Sequence, residues 1–390
     1  MPDIDDNTIG QNEGRQLRHS STKIHVELYK QLLGHKQGIY CAIETQKGIF
    51  TAGGDGAIVC WTWEQLAQRS EPIGQLWASI PEPVFCMWMV NEETLLAGTQ
   101  KGNVYRLSTG KPPQAIVVDS QSIYFVRCWK NFIWVGTGSG QLMVFDSDFC
   151  RIQTLPLSTK SLRCMETRED LAWIGCSDAH VYCLKFLESK ASCTEESDDL
   201  LAVSKTEPNI EFASSITYSM PRVGLAHESS LEVSSYLANE PSVFGVSAVN
   251  KNILISVGRD AHVRLFQNSQ LISAVPAHLG TIHGLSKHPI LPWFATGSMD
   301  KSIKLWQWET DAETSTSIQL IKVINREKFA GEVGHTHSVN SVLWISEEGK
   351  KWLTEMQASE KFSQNPAQVH WLLSVGDDRQ GILWGITQFC

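Results

Sequence analysis

The stretch GSMDKSIKLW (297–306) places turn residues ahead of an alternating strand that ends in tryptophan, with Asp300 six positions before Trp306. Six other stretches align with it without gaps: AGGDGAIVCW (52–61), GTQKGNVYRL (98–107), GTGSGQLMVF (136–145), GCSDAHVYCL (175–184), VGRDAHVRLF (257–266) and VGDDRQGILW (375–384). Each joins Gly, Asp or Ser turn chemistry to apolar residues of period two, the pattern of a turn feeding a strand. A second block precedes the turn block in every copy: GIYCAIE (38–44), PVFCMWM (83–89), SIYFVRC (122–128), SLRCMET (161–167), SVFGVSA (242–248), TIHGLSK (281–287) and SVNSVLW (338–344). Its second residue is aliphatic in all seven copies.

With the apolar run before each turn block (WFAT, 293–296) and a less regular segment after it, each unit supplies about four strands on a period near 40 residues. Units of this kind resemble the WD-repeat β-propeller. The resemblance covers roughly residues 23 to 388 and implies an all-β, seven-bladed ring. Among its members the chain looks most like compact, stand-alone bacterial WD-repeat proteins of undefined role. KIHVELY (23–29) alternates apolar residues and would supply the outer strand of the last blade, closing the ring and removing an exposed edge. Residues 1–22 read as a flexible tail and 23–390 as one propeller.

Two intervals between turn blocks are double length. The first holds an acidic, Ser-rich insertion at about 187–228, expected to be a flexible loop rather than an eighth blade. The second divides between ETDAETSTS (309–317) and a segment at about 346–369, where EEGKKWLTEMQASEKF has helix-forming composition. In the family's layout all three insertions leave the face opposite the Asp turns.

Asp300 travels with three other residues. His278, Thr296, Asp300 and Trp306 recur as His35, Thr51, Asp55 and Trp61, and as His335, Ser374, Asp378 and Trp384. His, hydroxyl and acid invite a catalytic-triad reading. A set repeated on three blades, with threonine twice and a donor-only indole included, argues for hydrogen bonding around an acid that cannot be buried alone. The resemblance implies the same: these are the positions of the family's stabilising tetrad. The other blades depart from the pattern, with Ile80, Asp119, Ser158 and Asn239 at the His position and Lys101 and Ser139 at the acid position. The complete sets fall on blades 6, 7 and 1, the seam where the ring closes.

The third residues of the inner block are Tyr40, Phe85, Tyr124, Arg163, Phe244, His283 and Asn340. They should alternate away from the buried aliphatic beside them. By resemblance this position rims the central opening and contacts peptides, and its mix of aromatics, Arg and His suits an interaction surface. The residue before each turn acid adds an outer ring that includes Arg259, Met299 and Asp377.

The composition narrows the partner. A formal charge of −9 lacks a basic footprint, so nucleic acid is not an expected partner. The N-terminal MPDIDDNTIG carries acids where a secretory signal carries Lys or Arg, and no apolar run approaches bilayer length, which points to a cytoplasmic protein without a membrane partner. Ten cysteines occur without a CxxC pair. Cys41, Cys86 and Cys164 share the fourth position of separate blades, a small-residue slot rather than a metal site. No catalytic residue, metal or cofactor is expected. The expected function is a non-enzymatic scaffold for a protein or peptide on the funnel face. The competing readings are an RNA- or ribonucleoprotein-associated propeller and a propeller enzyme with a central cofactor.

Overall fold

Seven antiparallel sheets follow one another along the chain, six built from consecutive strands and the last completed by the N-terminal strand. The computed structural model describes residues 23–68, 70–188, 216–220, 229–239, 241–310, 316–326, 334–355 and 369–389. The aligned inner block forms the first strand of each blade, from Ile39–Thr45 in blade 1 to Val339–Trp344 in blade 7. The apolar run before each turn forms the second. Second strands such as Phe132–Thr137 and Trp293–Ser298 are buried at every residue, since both faces meet a neighbouring blade. That double burial is why these segments read as continuous apolar runs while the strands after the turn alternate.

The seven apolar clusters lie between blades. One joins Leu32, Ile39, Trp61, Trp371, Val375 and Leu383 across the seam of blades 7 and 1. Another joins Trp293, Ile303, Val339, Trp344 and Trp384 between blades 6 and 7. The ring closes as the sequence implies. Lys23–Leu33 pairs antiparallel with Gln380–Phe389 as the outer strand of the last sheet, extending past KIHVELY to Leu33. Two short helices reinforce this seam from the side opposite the turns. Trp63–Ala67 and Glu347–Glu355 bring Trp63, Leu66 and Leu353 into the same cluster. Glu44 of blade 1 accepts from Ser346 N at 2.8 Å and Ser346 Oγ at 2.6 Å, gripping the start of the second helix.

Blade 4 differs from the expected loop. Ile216–Met220 pairs with Ser229–Leu237 and makes a fifth strand on the outer edge of that sheet. ITYSM carries β-branched and aromatic residues and finds an open edge in register, which the surrounding Ser-rich composition conceals. Residues 189–215 and 221–228, like 1–22 and 356–368, lie outside the described residues.

The turns have one shape. In all seven blades the residue after the acid position has positive φ: Gly56, Gly102, Gly140, Ala179, Ala261, Lys301 and Arg379. At Gly56 a Cβ would stand 2.1 Å from the Ile80 carbonyl oxygen, so glycine there answers a close approach as well as a dihedral.

The seam between blades 6 and 7 holds a buried imidazole pair. His288 Nδ1 accepts from Ile290 N at 3.1 Å and Leu291 N at 3.0 Å, so its proton lies on Nε2, which donates to His370 Nδ1 at 3.0 Å. Burial pushes both rings down, His288 to about 3 with further lowering from His370 and Lys350, and His370 to about 4. A histidine lowered on folding binds fewer protons folded than unfolded. Its contribution is therefore complete above the unfolded value of 6.5 and is lost as pH falls toward 4. Urea unfolding should show stability dropping by roughly 2 to 4 kcal/mol between about pH 6.5 and pH 4.5. His370→Gln should flatten that decline, and parallel curves for the two proteins would rule this pair out as its source.

Candidate functional site: the turn face and the central mouth

The three complete tetrads form one pattern. Trp61 Nε1 donates to Thr51 Oγ1 at 2.9 Å, Thr51 lies 2.9 Å from His35 Nε2, and His35 Nδ1 lies 3.1 Å from Asp55. The distances recur as 2.9, 2.8 and 2.9 Å in blade 6 and as 2.9, 2.8 and 3.0 Å in blade 7. The carboxylate can only accept, so Nδ1–H donates to it, and Nε2 is left to meet the hydroxyl, which accepts from the donor-only indole. Thr51, Thr296 and Ser374 are each 0% exposed, so none of these hydroxyls can meet a substrate. Burial pushes the Asp300 carboxyl up, but hydrogen bonds from His278, Ser302 and Leu279 N overcome it and hold the group well below the ordinary carboxylate value.

The blades that depart from the pattern are wired too. In blade 3 the polarity is exchanged: Ser139, at the acid position, donates to Asp119, at the His position. In blade 4 Ser158 and Tyr182 donate to Asp178 at 2.6 and 2.7 Å. In blade 5 Asn239 stands in for histidine, accepting from Ser256 and donating to Asp260 at 3.3 Å, while Arg264 pairs with Asp260. In blade 2 the acid comes from Glu82, which accepts from Thr99 at 2.6 Å, Asn103 at 2.7 Å and Tyr105 at 3.0 Å. Spacing missed Glu82 because it lies two residues after the aligned Ile80. The signal for the others was present, since Asp119, Ser158 and Asn239 are all hydrogen-bonding types.

The turn networks fix the height of the inner strands. In every blade the residue before the acid position donates its backbone N–H to the carbonyl of the first inner-block residue, as in Met299 to Thr281 at 2.9 Å and Asp377 to Ser338 at 3.0 Å. Two residues further on, every inner strand breaks register. The ladder skips between Ile39 and Cys41, Val84 and Cys86, Ile123 and Phe125, Leu162 and Cys164, Val243 and Gly245, Ile282 and Gly284, and Val339 and Ser341. The skipped residue is the third in each case. Simple alternation therefore does not aim these side chains; a β-bulge repeated in all seven blades does, freeing one residue per blade from the ladder.

Those seven residues form a chain around the mouth. Tyr40 meets Phe85 edge-on at 5.6 Å, and Phe85 stacks on Tyr124 at 5.8 Å. The Arg163 guanidinium lies 4.2 Å from the Tyr124 ring centroid and 5.1 Å from that of Phe244, which in turn meets His283 at 5.4 Å. Asn340 donates to the Ile39 carbonyl at 3.0 Å and to Asp377 Oδ1 at 2.7 Å, tying blade 7 to blade 1. All seven are partly exposed. Outside them Arg259 and Asp377 are exposed, Met299 is 60% exposed, and Leu279 beside it is 98% exposed. Burial raises the Tyr40 phenol, with Asp377 and Asp55 adding to it, and lowers the His283 ring, an effect that Asp377 opposes and Arg163 reinforces.

Residues 269–307 match the family model for the WD domain, G-beta repeat. That span takes in the outer strand of blade 5 (Gln270–Pro276) and three strands of blade 6, so the sequence repeat is offset from the sheet by one strand. The fold is similar to the crystal structure of the WD40 beta propeller domain of Doa1, with a TM-score of 0.61 over 92% of this chain and 96% of that one, at 10% identity. The chain is a seven-bladed β-propeller in which one repeat matches the WD domain. The offset repeat explains why the propeller needs Lys23–Leu33: the last repeat ends one strand short of a sheet, and the N-terminus supplies it. No curated protein matches the propeller's sequence significantly.

The opposite face of the propeller carries a cavity of about 780 Å³, lined by Glu44, Trp63, Ser346, Glu348 and Trp352 among others. Its most buried acid is already used, since Glu44 holds Ser346, and burial pushes its carboxyl up. Cys41, Cys86 and Cys164 pack in three separate apolar clusters between blades, and burial pushes the Cys86 and Cys164 thiols up to about 12. Among the described residues no helix is long and apolar enough to cross a membrane.

Proposed function

We propose that this WD-repeat propeller is a non-enzymatic scaffold that binds a peptide or protein partner at its turn face, across the mouth of the central opening. The observation that carries this reading is the repeated bulge. A register break at the same residue of all seven inner strands spends seven ladder positions to aim Tyr40, Phe85, Tyr124, Arg163, Phe244, His283 and Asn340 at one place. Rings already packed against one another lose little rotamer freedom when a partner covers them, so their apolar area converts efficiently into binding. Met299 and Leu279 extend the surface outward over blade 6.

Affinity capture from native lysate provides the test. Wild type is compared with a variant in which Tyr40, Phe85, Tyr124 and Phe244 are replaced by Ala and whose thermal melt shows that it remains folded. The expected result is at least a tenfold loss of the recovered partner, since two or more buried aromatics typically supply over 1.4 kcal/mol. Equal recovery by the two proteins would remove the mouth from consideration and turn attention to the opposite face.

A further inference from the structure

We infer that the mouth selects a partner segment bearing an acidic side chain, and that Arg163 is the group that reads it; this rests on the mouth being the partner surface. Arg163 is the one cation among the seven bulged residues, and it is held as a receptor group is held. Its guanidinium lies over both the Tyr124 ring at 4.2 Å and the Phe244 ring at 5.1 Å, contributed by the blades on either side of its own. Its Nε donates to Ser177 Oγ at 2.7 Å. Three contacts thus fix the plane and the rotation of the fork. Among the described residues nothing accepts from its two terminal amino nitrogens. A planar guanidinium fixed at Nε and open at both Nη atoms presents the end-on pair of donors that fits a carboxylate bidentately.

The surroundings favour an anion on this side of the mouth. Ser242 Oγ donates to the Ser177 carbonyl at 3.5 Å, and the Ser242 carbonyl receives Arg259 N at 3.1 Å, which places the exposed Arg259 next in line to Arg163. Lys160 is exposed in the loop leading to the same strand. Below the rim, Arg127 lies 5.0 Å over the Trp88 ring and bears on groups of blades 1, 2 and 4, and Lys287 acts with it on the Glu166 carboxyl, which burial raises despite both cations. The exposed acid of the rim, Asp377, sits on the far side at blade 7 and is held by Asn340. The turn acids of blades 4 and 5 are engaged, Asp178 by Ser158 and Tyr182 and Asp260 by Arg264, which leaves Lys160, Arg163 and Arg259 as the open charges on this side of the mouth. An Asp or Glu flanked by aromatic or large apolar residues satisfies both the fork and the rings beside it.

The experiment uses the full chain as bait for a phage-displayed library of random linear 12-residue peptides, fused so that no peptide has a free C-terminus. Peptides selected by wild type should share an Asp or Glu next to a large apolar residue. Selection against Arg163→Gln should retain the apolar preference and lose the acid. For a synthetic copy of a selected acidic peptide, Arg163→Gln should weaken binding roughly 10- to 100-fold, the range of a charge-assisted hydrogen-bonded pair, and remove most of its salt sensitivity. If Arg163→Gln perturbs the melt, Ser177→Ala serves instead, since it frees Nε without removing the charge and should weaken the same peptide by a smaller factor. Peptides selected without an acidic preference, or an acidic preference that survives Arg163→Gln, would overturn the role of Arg163 and leave the mouth in place. Failure to enrich any peptide, or peptides indifferent to the four aromatic-to-Ala changes, would overturn both.

Discussion

Removing residues 1–33 should abolish cooperative folding of this protein. Lys23–Leu33 makes ten residue pairs with Gln380–Phe389, and it buries Leu32 at 0% and Val26 at 4% exposure in the clusters on either side of the last blade. Without it, blade 7 presents an open edge along its outer strand and a vacancy beside Trp61 and Leu383. The loss combines two large buried side chains with a full row of ladder hydrogen bonds. It therefore exceeds about 5 kcal/mol, the scale of an entire domain's stability. The expected product is an expanded, aggregating species in size-exclusion chromatography with weak near-ultraviolet circular dichroism. Leu32→Ala should give a graded version, costing roughly 2 to 5 kcal/mol in urea unfolding. Adding the peptide KIHVELYKQLL to the truncated chain should recover part of the near-ultraviolet signal. A truncated protein that stays monomeric with a wild-type melt would show that the ring does not depend on its closing strand.

Asp300→Asn should cost about 2 to 3 kcal/mol and Asp178→Asn about 1 kcal/mol, although the two acids occupy the same turn position. The difference lies in the order of protons. In blade 6 Asp300 can only accept, so His278 must present Nδ1–H to it, and Nε2 is left to meet Thr296, which accepts from the Trp306 indole. An amide nitrogen at residue 300 faces donors from His278, Ser302 and Leu279 and leaves at least one buried group unpaired. Around Asp178 the shortest side-chain contacts come from the hydroxyls of Ser158 and Tyr182, which rotate and can accept from an amide. Urea unfolding of the two variants side by side measures the difference. Equal costs would remove the case for the three complete tetrads as reinforcement of the closing seam on blades 6, 7 and 1.

The two predictions draw on features of unequal legibility. The closing strand was readable because KIHVELY alternates and because a ring needs its edge covered. Its full length to Leu33 was not, since KQLL carries no period-two pattern. The three tetrads were readable because their members keep constant spacing on three copies. The substitutes were not: in blade 3 the acid and the hydroxyl have exchanged positions, and in blade 2 Glu82 arrives from two residues further along, which alignment by position discards. The insertion at 187–228 shows the same limit from the other side, because its composition hides a strand, Ile216–Met220, that exists through the edge it meets.

Sequence by itself determined the sevenfold repeat, the strands, the turn acids and the identity of the third inner-block residues, because those depend on local patterning and on spacing within one copy. Tertiary structure decided what the third residues do. Alternation sets them opposite the buried aliphatic, and the register break takes each of them out of the ladder, where they meet residues of the neighbouring blades. Arg163 becomes a fixed, open fork only because Tyr124 and Phe244, from the blades before and after its own, bring their rings under its guanidinium. No spacing rule connects those three residues, since their meeting is set by the radius at which seven twisted sheets pack into a closed ring.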